Sequence, residues 1–201
     1  MNNPLQIYGN IDIYLFDQLL KGTYQHCKKV LDIGCGGGRN LHYFLQNGFE
    51  VFGADHNTDA VLAVQSLSSA LAPNNPTTNF TAAAADDLPF ADNEFDLAIS
   101  SAVLHFAKDE AHFEAMVAEA FRVLKPGGYF FARLASDIGI ESLIKPLGNG
   151  RHLLPDGSTR FLVNQDTLLK LTSNYGKLHE PIKTTNVQNL RCMTTWCVQK
   201  M

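Results

Sequence analysis

Four glycines within five positions, Gly34, Gly36, Gly37 and Gly38, break the aliphatic run Val30-Leu31-Asp32-Ile33, and Arg39-Asn40 follow. Glycine lets backbone N–H groups come close to a bound group, and a helix that starts there points its partial positive charge at any anion. A strand, a tight loop and a helix in that order therefore form a seat for a nucleotide-like cofactor. Asp55 stands about 21 positions beyond Gly34, near the roughly 20-residue offset at which an acidic side chain accepts from both hydroxyls of a ribose. The plainer alternative for Asp55 is a solvent-exposed charge that ends a strand. His105, between Leu104 and Phe106, carries an imidazole whose ordinary pKa of about 6.5 suits proton transfer near neutrality. A packing histidine is the competing expectation there.

These residues need elements to position them, and the hydrophobic spacing supplies the elements. Asn10 or Asp12 caps an amphipathic helix over Ile11 to Lys21, and Lys29 to Ile33 reads as a strand. A helix over Asn40 to Gln46, marked off by Asn47-Gly48, precedes a second strand, Glu50 to Asp55. A helix from Asp59 to Leu71 stops at Ala72-Pro73-Asn74-Asn75-Pro76. Asn79 to Ala83 and Phe95 to Ser100 supply strands three and four, and Glu110 to Leu124 a helix ended by Pro126-Gly127-Gly128. Tyr129 to Leu134 is strand five. Strands alternating with helices predict an α/β fold: a Rossmann-like, doubly wound, mostly parallel sheet with helices on both faces. A C-terminal antiparallel hairpin, His179 to Asn186 with Leu190 to Gln199, brings the sheet to seven strands. Ligands of such sheets lie beyond the carboxyl ends of the strands, which is where Gly34 to Gly38, Asp55 and Ser101 to His105 converge.

The glycine spacing discriminates between cofactors. A dinucleotide fingerprint needs a small residue at the position that Arg39 holds, and a phosphate loop needs a Gly-Lys-Ser/Thr sequel that is missing here. The pattern Asp32-x-Gly34-x-Gly36-x-Gly38 instead resembles the first motif of class I S-adenosylmethionine-dependent methyltransferases. The resemblance continues through Asp55, Leu88-Pro89-Phe90, Phe95-Asp96-Leu97 and Arg122-Val123-Leu124-Lys125-Pro126-Gly127-Gly128, so it spans about residues 25–135. Gly38-Arg39-Asn40 and Asp55-His56-Asn57 are similar to the methyltransferase-11 and tellurite-resistance type.

The resemblance implies S-adenosylmethionine as cofactor, with S-adenosylhomocysteine as product, and assigns roles to residues. Asp55 takes the ribose hydroxyls, His56 beside it is a further cofactor-binding residue, and Gly34, Cys35 and Gly36 lie against the methionine portion. Asp32 faces the ammonium or organises the loop, and Arg39 pairs with the carboxylate or remains a solvated charge. Ala85, Asp86 and Leu88 approach the adenine. Ala84 departs from a pattern in which many relatives are acidic, and Asp86 is the replacement. Ser101 and Ala102 offer backbone near the methionine end, and His105 takes a proton from the acceptor. The implied reaction is in-line methyl transfer to a small molecule.

A single domain over residues 1–201 is expected, with residues 1–24 and a hairpin-bearing segment, 141–165, as lids over the cleft. Tyr8, Tyr14, Arg151, His152 and Arg160 lie in those segments and are the candidates to face the acceptor, the arginines suiting a carboxylate. A net charge of -4 without a basic run argues against nucleic acid as partner. No apolar stretch approaches membrane length, and no basic leader opens the chain, so a cytoplasmic protein away from membranes is expected. Cys27, Cys35, Cys192 and Cys197 have neither disulfide-framework nor metal-ligand spacing, and no metal is expected. Oligomeric state leaves no mark in this sequence. An NAD-dependent oxidoreductase and a noncatalytic S-adenosylmethionine-binding protein are the rival functions.

Overall fold

The computed structural model describes residues 3–201; Met1 and Asn2, the first two residues of the expected N-terminal lid, lie outside the described residues. The elements of the first half are α1 (Pro4–Tyr8), α2 (Ile13–Leu20), β1 (Lys29–Ile33), α3 (His42–Gln46), β2 (Glu50–Asp55), α4 (Thr58–Leu71) and β3 (Phe80–Ala82). They are followed by β4 (Phe95–Ser101), α5 (Glu110–Val123), β5 (Leu124–Ser136), β6 (Lys145–Gly148), β7 (Arg151–Leu153) and β8 (Thr159–Phe161). The chain closes with α6 (Gln165–Tyr175), β9 (Gly176–Leu178), β10 (Lys183–Val187) and β11 (Arg191–Lys200).

The main sheet runs β10-β11-β5-β4-β1-β2-β3, parallel from β3 to β5 and antiparallel at β11 and β10. β9 pairs with the far end of β11, so β9 and β10 cover the same outer edge in two pieces. Pro181 lies between the two pieces; it has no N–H for a ladder, and an edge is where a sheet tolerates it.

The central strands are buried on both faces, and their residues alternate between two cores. Leu31, Ile33, Phe95, Ala98 and Phe130 pack with Phe113 and Phe121 of α5 and Leu168 of α6. Val30, Leu97, Ile99 and Phe131 pack on the opposite side with Leu15 of α2, Phe44 of α3 and Val64 of α4. Full burial of one such side chain contributes about 1.5–3 kcal/mol. That lends the strand ends a rigid frame.

Three differences from the sequence expectation have local causes. α5 passes into β5 without a loop, and Pro126-Gly127-Gly128 forms an irregularity within the strand, where pairing jumps from Phe95↔Leu124 to Leu97↔Tyr129. The hairpin of 141–165 is the β7/β8 pair turned at Pro155-Asp156-Gly157, and β6 adds a third antiparallel strand to it. α1 precedes the expected first helix; Asn3 caps it, and Pro4 stands in its first turn. The cap of α2 is Asp12, whose Oδ1 accepts from Tyr14 N–H at 3.0 Å.

Candidate active site

β1 and β2 are in parallel register through Ile33↔Ala54, so their ends deliver the glycine loop and Asp55 side by side. Gly34 and Cys35 both donate to Ala54 O, at 2.7 and 3.1 Å, which folds the loop back over β2. Gly34 has φ +71, and a Cβ there would stand 2.3 Å from Val103 Cγ2, so a side chain is excluded both by conformation and by space. Asp55 Oδ2 accepts from Gly36 N–H and Oδ1 from Asn57 N–H, each at 2.9 Å. Each carboxylate oxygen retains a further lone pair. Both oxygens can therefore accept one more hydroxyl.

Three hollows meet around this junction. One of about 460 Å³ is bounded by Gly36, Gly37, Arg39, Asn40 and Ser101. Across Gly34, which borders both, a second of about 450 Å³ is bounded by Asp55, His56, Ala85, Asp86 and His112. The third, about 240 Å³, shares Ala102 with the second and holds His105 and Arg160.

Beneath the loop, Asp32 is 2% exposed and its Oδ2 has no hydrogen-bond partner. Burial, opposed by the Arg39 charge and reinforced by that of Asp55, pushes this carboxyl up to about 7. Arg39 itself donates from Nη2 to Ser101 Oγ at 2.8 Å and from Nη1 to Asn10 O at 3.4 Å. Its guanidinium thus joins the N-terminal segment to the end of β4. Asp12 strengthens that junction: its N–H donates to Asn40 Oδ1 at 3.0 Å, and its Oδ2 lies 3.5 Å from Arg133 Nε. Arg133 was absent from the sequence expectation, although a lone cation inside the apolar run of β5 was a legible signal.

Several expected contacts are corrected. Leu88 lines none of the three hollows: its side chain is in the core, its N–H donates to Glu119 Oε2 at 2.9 Å, and Arg122 Nη2 holds its carbonyl. Cys35 gives only backbone, because its thiol is buried against Gly53. Tyr8 stacks on Tyr43 and meets the edge of Phe16, which spends its ring on holding α1 in place. Tyr14 is committed to Thr185 Oγ1 at 2.5 Å and to the Arg133 guanidinium over its ring at 4.4 Å. Arg151 donates to Ala107 O at 2.8 Å, and His152 Nδ1 lies 3.1 Å from Gly150 O. Of the five acceptor-facing candidates, Arg160 alone borders one of these three hollows.

His105 also changes role. Its Nδ1 accepts from Ala135 N–H at 3.2 Å, so the neutral ring carries its proton on Nε2. Burial, and secondarily the Arg160 charge, hold its pKa down to about 4. A ring that is neutral and already protonated on its free nitrogen donates a hydrogen bond. It does not take a proton.

A family model described as a methyltransferase domain matches residues 31–132. The chain belongs to the methyltransferase domain family. The chain is similar in sequence to an uncharacterized methyltransferase from Synechocystis, 37% identical over 103 residues, which make up 51% of this chain and 45% of that protein. The chain spans about half the length of the curated relatives it matches. Among solved structures, a methyltransferase from Methanosarcina mazei described as SAM-dependent shares the fold at a TM-score of 0.71 and 23% identity, covering 91% of this chain and 97% of that one. A Burkholderia thailandensis N1-methyltransferase of 1,6-didemethyltoxoflavin, solved with that compound and S-adenosylhomocysteine, shares it at 0.65 and 17% identity, covering 92% and 76%. For this methyltransferase-family chain, no helix among the described residues is long and apolar enough to cross a membrane.

Proposed function

We propose that the chain binds S-adenosylmethionine in the two hollows that meet at Gly34 and transfers its methyl group to a small-molecule acceptor. The observation that carries this reading is the coupling of Asp55 Oδ2 to Gly36 N–H at 2.9 Å, which sets a strand-end carboxylate and the glycine loop on one cleft. The residues present fit that cofactor. A Cβ on Gly36 would meet nothing within 4 Å, so the loop offers an open cradle there, and the buried, unpartnered Asp32 Oδ2 lies beneath it. Asp55 suits the ribose hydroxyls, Asp32, buried under the loop and bordering neither hollow, suits the organising of that loop, and Arg39, already anchored to Ser101, suits the carboxylate. Ala85 and Asp86 with His56 border the hollow left for the adenine, Ser101 closes the methionine end beside Arg39, and Ala102 borders the adenine-side hollow where it meets the third.

When bound, the cofactor supplies a methyl carbon on a cationic sulfur that an acceptor lone pair displaces in line. The protein's own share is to align and to exclude water. Alignment contributes on the order of 7–11 kcal/mol in favourable systems, and a water-poor cleft favours a step in which charge is lost. Residues 3–24 and 141–165 act as covers of a single domain, the first tied down through Asp12 and Arg39, the second through Arg151.

Incubating the protein with a cell extract and a methyl donor isotopically labelled on the methyl group tests the assignment. Mass spectrometry is expected to find one small molecule heavier by the labelled methyl. A chain that gains thermal stability from S-adenosylhomocysteine yet labels nothing in extracts is a binding protein without this activity.

A further inference from the structure

The third hollow is built for a charge. Arg160 comes from β8 and Arg191 from the start of β11, and both residues line it together with Asp156, Ser158 and His105. Asp156 is already engaged: Oδ1 accepts from Ser158 N–H at 2.9 Å and from Ser158 Oγ at 2.6 Å, and Oδ2 lies 3.7 Å from Arg191 Nη1. Arg160 has no carboxylate within ion-pair distance among the described residues; its Nη1 donates to Thr159 O at 2.8 Å, and its guanidinium stands 5.1 Å over the Phe106 ring. Two guanidinium groups against one carboxylate, beside a neutral imidazole, leave the hollow one positive charge in excess. Arg160 is half-buried and the Arg191 side chain is 56% exposed, so this excess is a partly solvated charge that an entering anion would pair with.

His105 adds direction. With Nδ1 fixed by Ala135 N–H, its Nε2–H is a donor in the same hollow as the guanidinium forks, and none of these groups can accept. Leu154 and Met193 supply the apolar part of the wall, and Ala102 forms the border shared with the cofactor cleft. The volume, about 240 Å³, lies below the roughly 300–1,000 Å³ of drug-sized ligand sites.

We infer that this hollow is the acceptor site and that it takes a small organic monoanion, a carboxylate held by Arg160 and Arg191 with His105 Nε2–H as a third donor. The carboxylate is a handle, and the apolar wall with Ala102 receives the remainder of the acid. The inference rests on the methyltransferase reading for the identity of the neighbouring cleft. The charge, the donors and the size of the hollow stand without it.

The test is saturation-transfer NMR and calorimetry on the full chain, with S-adenosylhomocysteine saturating, against matched probes: acetate, propionate, pyruvate and benzoate, and the amide of each. At least one acid is expected to bind at least tenfold more tightly than its amide. Arg160→Gln and, separately, Arg191→Gln should each weaken that acid about tenfold or more and leave the affinity for S-adenosylhomocysteine unchanged, while Arg160→Lys keeps part of the binding. Amides binding as well as acids, no acid binding at all, or full acid affinity in both glutamine variants would overturn the inference. Heat from S-adenosylhomocysteine without any from the acids refutes the substrate class alone. Acid binding without heat from S-adenosylhomocysteine refutes the cofactor reading and leaves an anion site.

Discussion

Replacing Asp55 by Asn isolates the carboxylate that links the glycine loop to β2. In the parent chain both oxygens accept from backbone N–H groups, Gly36 at one and Asn57 at the other, each at 2.9 Å, on a side chain that is 11% exposed. An amide keeps one acceptor and turns an N–H₂ toward the other donor, so one backbone N–H of a part-buried pair loses its partner at a cost of about 1–3 kcal/mol. In a chain of this length each kcal/mol moves the melting temperature by about 2–4 °C. A middle value of about 2 kcal/mol thus predicts a fall of about 4–8 °C. Binding suffers separately, because a neutral acceptor loses about 1.5–3 kcal/mol of charge-assisted hydrogen bonding to ribose hydroxyls, or about a tenfold to hundredfold rise in Kd for S-adenosylhomocysteine. Differential scanning calorimetry gives the first number and isothermal titration the second. An Asp55→Asn chain that melts lower yet binds S-adenosylhomocysteine within twofold of the parent would show that Asp55 only organises the loop.

His105 titrates near 4 in the folded chain and at about 6.5 when unfolded. On acidification the unfolded chain therefore takes up the proton first, and stability should rise with pH between about 4 and 6.5, by at most about 3 kcal/mol. Urea midpoints at pH 4.5 and 7 in parent and His105→Gln check this, and an identical slope in both would contradict it. Asp32 has the opposite sign: its folded carboxyl titrates at about 7 against an ordinary value near 3.9, so its contribution is lost as pH rises from about 4 to 7. Asp32→Asn should raise the urea midpoint at pH 8 and weaken S-adenosylhomocysteine binding, and a midpoint that falls at pH 8 would refute the burial argument. Gly34→Ala forces a Cβ to 2.3 Å from Val103 Cγ2 at φ +71, which predicts about 1–3 kcal/mol of destabilisation and a melting temperature about 2–12 °C lower. Val103→Ala should recover part of that loss, and no recovery would place the cost in the backbone alone.

What was legible in the sequence were the features written locally. The apolar runs around Val30, Val51 and Leu97 marked strands, Asp12 was one of the two caps offered for the first long helix, and the glycine cluster with Asp55 marked the cleft. What was not legible depended on partners distant in the chain. Nothing near Leu88 announces that Glu119 takes its N–H, and nothing near His105 announces that Ala135 takes its Nδ1. The same holds for arginines: Arg151 turns to Ala107 O, whereas Arg160 and Arg191, drawn from segments far apart, meet in one hollow. Short segments such as α1 and β6 escaped because so few residues carry no clear period.

On the proposed function, the cleft joined by Gly36 and Asp55 takes an adenosyl sulfonium cofactor instead of a redox dinucleotide. Titration calorimetry of the unmodified protein with S-adenosylhomocysteine and, in a second cell, with NADH tests it most directly. One-to-one heat from the first and none from the second is the expected result. Heat from NADH alone, or none from either, contradicts the account.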